Sequence, residues 1–105
     1  MTSRAIHWAD LPAPYGRRPV CVLTRPAALP VLTGITVAQI TTAVRGIESE
    51  VIVGQTEGLR TESAISCDNL ITITRRLIDP DPIGRLDTIK SRQLDRALRY
   101  ALAIR

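Results

Sequence analysis

The hydrophobic period of this chain changes once, at Asp87, and that change limits the folds open to it. Before Asp87, apolar residues come in short runs separated by turn residues roughly every 8–12 positions, the pattern of short strands in a barrel or sandwich. After it, Leu94, Leu98, Ala101 and Leu102 follow the i, i+4, i+7, i+8 spacing of an amphipathic helix. Asp87 is a suitable N-cap for that helix, which the spacing carries through to Ile104. The expected fold is mainly β (α+β): a small antiparallel barrel closed on one side by a C-terminal amphipathic helix, in one domain over residues 1–105.

The strands expected are Ala5 to Leu11, Pro19 to Thr24, Ile35 to Thr42, Ser49 to Val53, Ser63 to Cys67, Leu70 to Ile73 and Ile83 to Leu86. Pro19 is tolerated at a strand's first position, where no ladder donor is lost. Residues 25–33 read as a loop with room for one helical turn, and Gly54 to Thr61 as a polar loop. Arg75 to Ile78 reads as a short helical turn, and Asp79-Pro80-Asp81-Pro82 as a breaker before the last strand. The outer face of the helix carries Arg92, Arg96 and Arg99, with Asp95 spaced to pair with Arg92 and Arg99. A solvated, ion-paired face is expected there, with contact to a partner as the alternative.

The charge of +4 rests almost wholly on arginine, since Lys90 is the sole lysine. Arginine matches phosphate and carboxylate bidentately, which favours a polyanion or an acidic protein as partner. Trp8, Tyr15 and Tyr100 are the only aromatics, too few for an extended base-stacking platform. Cys21 and Cys67 lack CxxC spacing and have only His7 as a possible imidazole companion, so buried, reduced thiols are expected and a metal site is not. No apolar stretch of about 18 residues and no signal peptide is present, so the expectation is a cytoplasmic protein that does not meet a membrane.

Gly16-Arg17-Arg18-Pro19 opens one apolar strand, and the next strand closes on Ile40-Thr41-Thr42. An arginine launched from a proline-pinned turn and a χ1-stiff threonine can converge on one phosphate. Charge builds on the non-bridging oxygens when a 2′-hydroxyl attacks its own phosphodiester, and donors aimed there are worth about 10²–10³ in rate each. Arg18 and Thr41 are therefore the expected catalytic pair of a metal-independent ribonuclease. Arg17 reads as positioning or solvation, and Thr42 points to the opposite strand face. Asp68-Asn69 suits either base-edge contacts or an Asx turn. His7 has no carboxylate partner in the pattern. No paired carboxylates, Gly-rich phosphate loop or Ser/His/Asp arrangement is present.

Four ordered segments resemble the MazF/PemK-like toxins of bacterial toxin–antitoxin systems: Trp8-Ala9-Asp10-Leu11-Pro12, Gly16-Arg17-Arg18-Pro19-Val20, Val37 to Thr42 with Arg45-Gly46, and Cys67 to Leu70 followed by Leu94 to Leu98. The resemblance covers nearly the whole chain. It implies an SH3-like barrel that forms a homodimer and a sequence-specific, metal- and cofactor-free endoribonuclease. That enzyme would leave a 2′,3′-cyclic phosphate and a 5′-hydroxyl on single-stranded RNA, with mRNA foremost and tRNA or rRNA as alternatives. Catalysis maps to Arg18 and Thr41, and RNA contacts map to Tyr15, Arg17, Thr42, Arg45, Asp68 and Asn69. A cognate acidic antitoxin would cover the site. The chain departs from the family in a short first loop without the usual glutamate, in Ile71 where an arginine or histidine is common, and in Arg4-Ala5 for Arg-Gly. A non-catalytic, CcdB-like gyrase poison of this fold and a degenerate RNA- or antitoxin-binding member are the alternative readings.

Overall fold

The structure, a computed structural model, describes residues 1–105. Six strands, β1 (Ala5–Leu11), β2 (Gly16–Val22), β3 (Gly34–Thr41), β4 (Glu50–Val53), β5 (Ser63–Thr74) and β6 (Ile78–Arg85), precede one helix, α1 (Thr88–Leu102). They form one sheet in the order β4-β5-β3-β2-β1-β6, antiparallel at every pairing. The sheet curls into a half-barrel, with β4 and β6 left as its two edges.

Period-2 alternation divides the apolar residues between the two sheet faces. Ile6, Cys21, Ala38, Ile40, Val51, Val53 and Ile65 point to one side, where Leu94 and Ala97 of α1 cover them. Ala9, Leu11, Val20, Val22, Ile35, Val37, Ile73 and Ile78 point to the other, beneath Leu29. Each fully buried aliphatic side chain contributes about 1.5–3 kcal/mol over its exposed state, so both faces need their covers. The second cover is residues 25–33. It forms single helical turns (Leu29 N to Arg25 O 3.3 Å, Leu32 N to Ala28 O 2.9 Å) and is tied down by Arg75, which donates to the carbonyls of Leu29 and Leu32.

The sequence expectation of strand, turn, strand over 63–73 is replaced by the single strand β5. On β5, Ala38 faces Leu70 but the next β3 residue, Gln39, faces Ser66, so Cys67, Asp68 and Asn69 bulge out of the ladder. A bulge bends its strand and re-aims side chains, and this one lifts Asp68 and Asn69 off the sheet. The Asp79-Pro80-Asp81-Pro82 segment is not a break: it lies within β6. β6 is an edge strand with register shifts on both sides of His7, and an edge can seat prolines because one row of its donors meets no neighbour.

Asp87 caps α1 as expected, its carboxylate accepting from Lys90 N at 2.8 Å, and the helix ends at Ala103 in the left-handed region (φ 56°). Leu94 and Ala97 are buried and Leu98 and Ala101 half-buried, whereas Leu102, read as part of the stripe, is exposed. Asp95 pairs with neither Arg92 nor Arg99. Its carboxylate meets Arg4 at 2.8 Å, and the same guanidinium donates to Ser91 O and Oγ at 3.3 Å. Ser91 and Asp95 are four residues apart and lie on one stripe, so a cation from the start of β1 reaches both and ties the helix to the sheet.

Candidate active site

β2 and β3 are registered by Val20 opposite Gln39, Cys21 opposite Ala38 and Val22 opposite Val37. Ladder pairing stops at Val20–Gln39, and Arg18 and Thr41 lie two residues further along, on the same face as that pair. This face is apolar along Val22, Val37, Ile35 and Ile73, then turns polar at Arg18, Gln39, Thr41 and Ser66. The polar end lies past the cover of residues 25–33 and forms a cleft of about 160 Å³.

Tyr15, Arg18, Gln39, Thr41, Arg45, Asp68 and Asn69 line this cleft, together with Ala43, Ile47, Glu50 and Ser66. Five separate segments supply them: the β1–β2 turn with the start of β2, the end of β3, loop 42–49, the start of β4 and the β5 bulge. Thr41 Oγ1 accepts from Ala43 N at 3.0 Å, which occupies a lone pair and leaves the hydroxyl proton to be donated elsewhere. Asp68 Oδ2 accepts from the buried Ser49 hydroxyl at 2.6 Å, and Asn69 Nδ2 donates to Ser66 Oγ at 2.9 Å. The bulge is thus pinned on both of its polar side chains. Glu50 Oε1 accepts from Arg45 N at 3.0 Å and Gly46 N at 2.9 Å, holding the loop that carries Arg45 and Ile47.

Two of the residues read as RNA contacts lie elsewhere. Arg17 is ion-paired with Asp10 and Asp79, each at 3.2 Å, and its guanidinium sits 5.6 Å from the centre of the Trp8 ring. Thr42, one residue past Thr41, faces away from the cleft beside Trp8, as strand alternation requires. His7 is fully buried, and Nδ1 lies 2.8 Å from Asp79 O; as a carbonyl only accepts, the ring donates there. Both thiols are buried. Desolvation pushes Cys21 up to about 12 against the opposing charge of Arg4. Burial, and then the negative charge of Asp68, push Cys67 up to about 11. Neither thiol is a nucleophile at neutral pH.

Gln39, Ser66, Ser49 and Glu50 escaped the sequence reading. Gln39 carried a signal: it is a polar residue inside the otherwise apolar run Val37-Ala38-Gln39-Ile40, on a strand where a buried amide needs a polar setting. Glu50 and Ser49 carried none, because their partners lie on a loop and a bulge whose shape no local period encodes.

Residues 3–102 match the family described as PemK-like, MazF-like toxin of type II toxin-antitoxin system. The chain is 50% identical over 70 residues to Endoribonuclease MazF3 of Mycobacterium tuberculosis, a stretch that spans 67% of this chain and 65% of that protein. It is 35% identical over 98 residues to Probable endoribonuclease MazF5 of the same species, covering 92% of this chain and 88% of that one. Among solved structures, Mycobacterium tuberculosis toxin MazF-mt6 superposes with a TM-score of 0.90 at 40% identity, covering 97% and 99% of the two chains. An endoribonuclease solved in complex with its cognate antitoxin, from a mycobacterial species, shares the fold at a TM-score of 0.86 and 21% identity, covering 100% and 97%.

Proposed function

The chain belongs to the PemK-like, MazF-like toxin family of type II toxin–antitoxin systems, and on that premise we propose that it is a sequence-specific endoribonuclease that cuts single-stranded RNA without a cofactor. The observation that carries this reading is the placement of Arg18 and Thr41 just past the end of the β2–β3 ladder, on one cleft with Gln39. A phosphodiester in that cleft receives the Arg18 fork on its non-bridging oxygens and the Thr41 hydroxyl as a further donor. The neighbouring 2′-hydroxyl oxygen attacks phosphorus, the P–O5′ bond breaks, and the products are a 2′,3′-cyclic phosphate and a 5′-hydroxyl end. No water is consumed.

The 2′-hydroxyl proton needs an acceptor, and an arginine with a pKa above about 12 is a poor one. Two carboxylates line the cleft. Each has one oxygen held, Glu50 Oε1 by two backbone amides and Asp68 Oδ2 by the Ser49 hydroxyl, and one oxygen free, but Asp68 is exposed on its bulge whereas Glu50 is half-buried and anchors loop 42–49. Asp68 Oδ1 is the acceptor in this reading, and the departing 5′ oxygen takes its proton from solvent.

The mycobacterial endoribonuclease solved in complex with its cognate antitoxin supports a second part of the reading. A cognate antitoxin with an acidic segment would cover the arginine-bearing cleft, the toxin acting as a homodimer in the cytoplasm, where its RNA is. No helix of the chain is long and apolar enough to cross a membrane.

The test is purified protein mixed with a mixed-sequence RNA in EDTA, alongside Arg18→Ala and Asp68→Asn. Cleavage by the wild type, loss in Arg18→Ala, and a large fall in kcat with little change in KM in Asp68→Asn are expected. Intact RNA with the wild type, or equal cutting by Arg18→Ala, overturns the reading.

A further inference from the structure

On the other side of Arg18 and Thr41 lies a second groove, of about 270 Å³, which Trp8, Arg17, Pro19 and Thr42 line. Its floor is the opposite sheet face: Trp8 pairs with Pro19 and Asp10 with Arg17, whereas Arg18 pairs with Ala9 on the face of the first cleft. The two grooves share Arg18 and Thr41. They meet there because the β2–β3 ladder ends at Val20–Gln39, so the ends of these two strands are no longer paired with each other. A phosphate seated on that saddle has one neighbouring nucleoside on each side of it.

The second groove does not suit a phosphate. Beyond the shared Arg18 its one cation is Arg17, and Asp10 and Asp79, which grip that guanidinium from outside the lining, give the cluster one net negative charge. What the groove offers instead is an indole. Trp8 keeps 39% of its surface exposed, with the Arg17 guanidinium 5.6 Å from its ring centre. Arg17 is tethered to β1 through Asp10 and to β6 through Asp79, so it holds the ring in place rather than reaching for a ligand. A fixed aromatic face beside a phosphate site is a stacking surface for a flat, neutral base.

We propose that Trp8, braced by Arg17, is a base-stacking subsite for the nucleotide next to the cut, across the Arg18–Thr41 saddle from the Asp68–Asn69 cleft. The inference rests on the RNA-cleaving reading and adds to it a track that wraps the end of the sheet. Tyr15 on the first cleft and Trp8 on the second then flank the scissile phosphate, so two of the three aromatics of the chain serve the substrate.

Trp8 is the sole tryptophan, so its emission reports on this groove alone. The probe is an oligoribonucleotide containing the cut sequence, with a 2′-deoxy sugar at the cut position so that it binds but does not react. Titration of the wild type is expected to change Trp8 emission. Trimming nucleotides from one end, and not from the other, is expected to weaken binding about tenfold and to abolish the emission change. Trp8→Ala is expected to bind the full oligonucleotide about tenfold more weakly and to lose nothing more on that trimming, with Trp8→Phe restoring part of the affinity. Equal trimming losses in Trp8→Ala and wild type, or no emission change at saturation, overturn the proposal. So does a fall in sedimentation mass for Trp8→Ala, which makes the groove a self-association face. Should Trp8→Ala not fold, the wild-type emission and trimming series decides alone. Cleavage of the all-ribose oligonucleotide is scored separately: a Trp8-dependent binder that does not cut keeps the subsite and removes the catalytic reading, and a cutter indifferent to Trp8 does the reverse.

Discussion

Arg18 and Thr41 each stand two residues beyond the Val20–Gln39 pair, on the same face of strands whose ladder has just ended. The two side chains share a cleft without a backbone hydrogen bond filling the gap between them. Neither is fully buried, so replacing either costs little stability, within about 0.5 kcal/mol for Arg18. Activity should respond far more. Arg18→Ala is expected to lower cleavage about 10²–10³-fold, and Arg18→Lys to recover little, because an ammonium lacks the planar fork. Thr41→Ser should keep most activity and Thr41→Val should lose it. Single-turnover cleavage, with urea melts as the folding control, checks all four.

How far this arrangement was legible in the sequence depended on whether the signal was local. Strand β1 is set by its own alternation and was placed residue for residue, and the Asp87 cap and the buried Leu94 follow from helical period. Arg18 and Thr41 were legible because a turn and a strand end fix where they sit. The bulge at Cys67 to Asn69 was not, since two short strands and one bulged strand have the same apolar pattern and only the register to β3 separates them. The Arg4–Asp95 pair was missed for a similar reason: helical spacing proposes partners on the same helix, and a residue at the start of β1 is invisible to it.

Glu50 controls the loop that brings Arg45 and Ile47 to the cleft, through the amides of Arg45 and Gly46. Hydrogen bonds to a charged acceptor are worth about 1.5–3 kcal/mol, and here they order a loop rather than the core. Glu50→Ala is expected to raise KM for RNA about tenfold with a smaller change in kcat, and to make residues 43–47 sensitive to protease. Glu50→Gln keeps an acceptor oxygen and should lie between. Unchanged KM and protease resistance in Glu50→Ala would remove the loop from substrate binding.

Gly84 is required by a backbone contact and not by its conformation. A Cβ there would meet Glu57 O at 2.1 Å and Glu57 C at 2.7 Å, backbone atoms of the turn Gln55–Glu57 packed against β6. Gly84 sits opposite Ile6, at the far end of β1 from the cleft. Gly84→Ala is expected to destabilise the fold by about 1–3 kcal/mol by forcing β6 and that turn apart. Cleavage per folded molecule should stay unchanged. A denaturant midpoint equal to that of the wild type would show that the turn yields freely.

The two thiols predict how stability depends on alkaline pH. Burial raises Cys21 to about 12 and Cys67 to about 11, from 9.0 for an exposed thiol. Below pH 9 both groups are protonated in the folded and the unfolded chain, so their contribution to stability is fully present. As pH rises from 9 through 11 and 12 the unfolded chain releases these protons and the folded chain does not, so stability is lost over that window. Urea midpoints should be flat between pH 7 and 8.5 and fall above pH 9 in the wild type, and a Cys21→Ala/Cys67→Ala variant should fall less steeply. The variant will start from a lower midpoint because it leaves small cavities, so the slope and not the level is the measurement. The same burial predicts that iodoacetamide at pH 8 labels neither cysteine in the native protein and both in denaturant. Identical alkaline slopes, or rapid native labelling, would show that these thiols are not held in the desolvated interior between the sheet and α1.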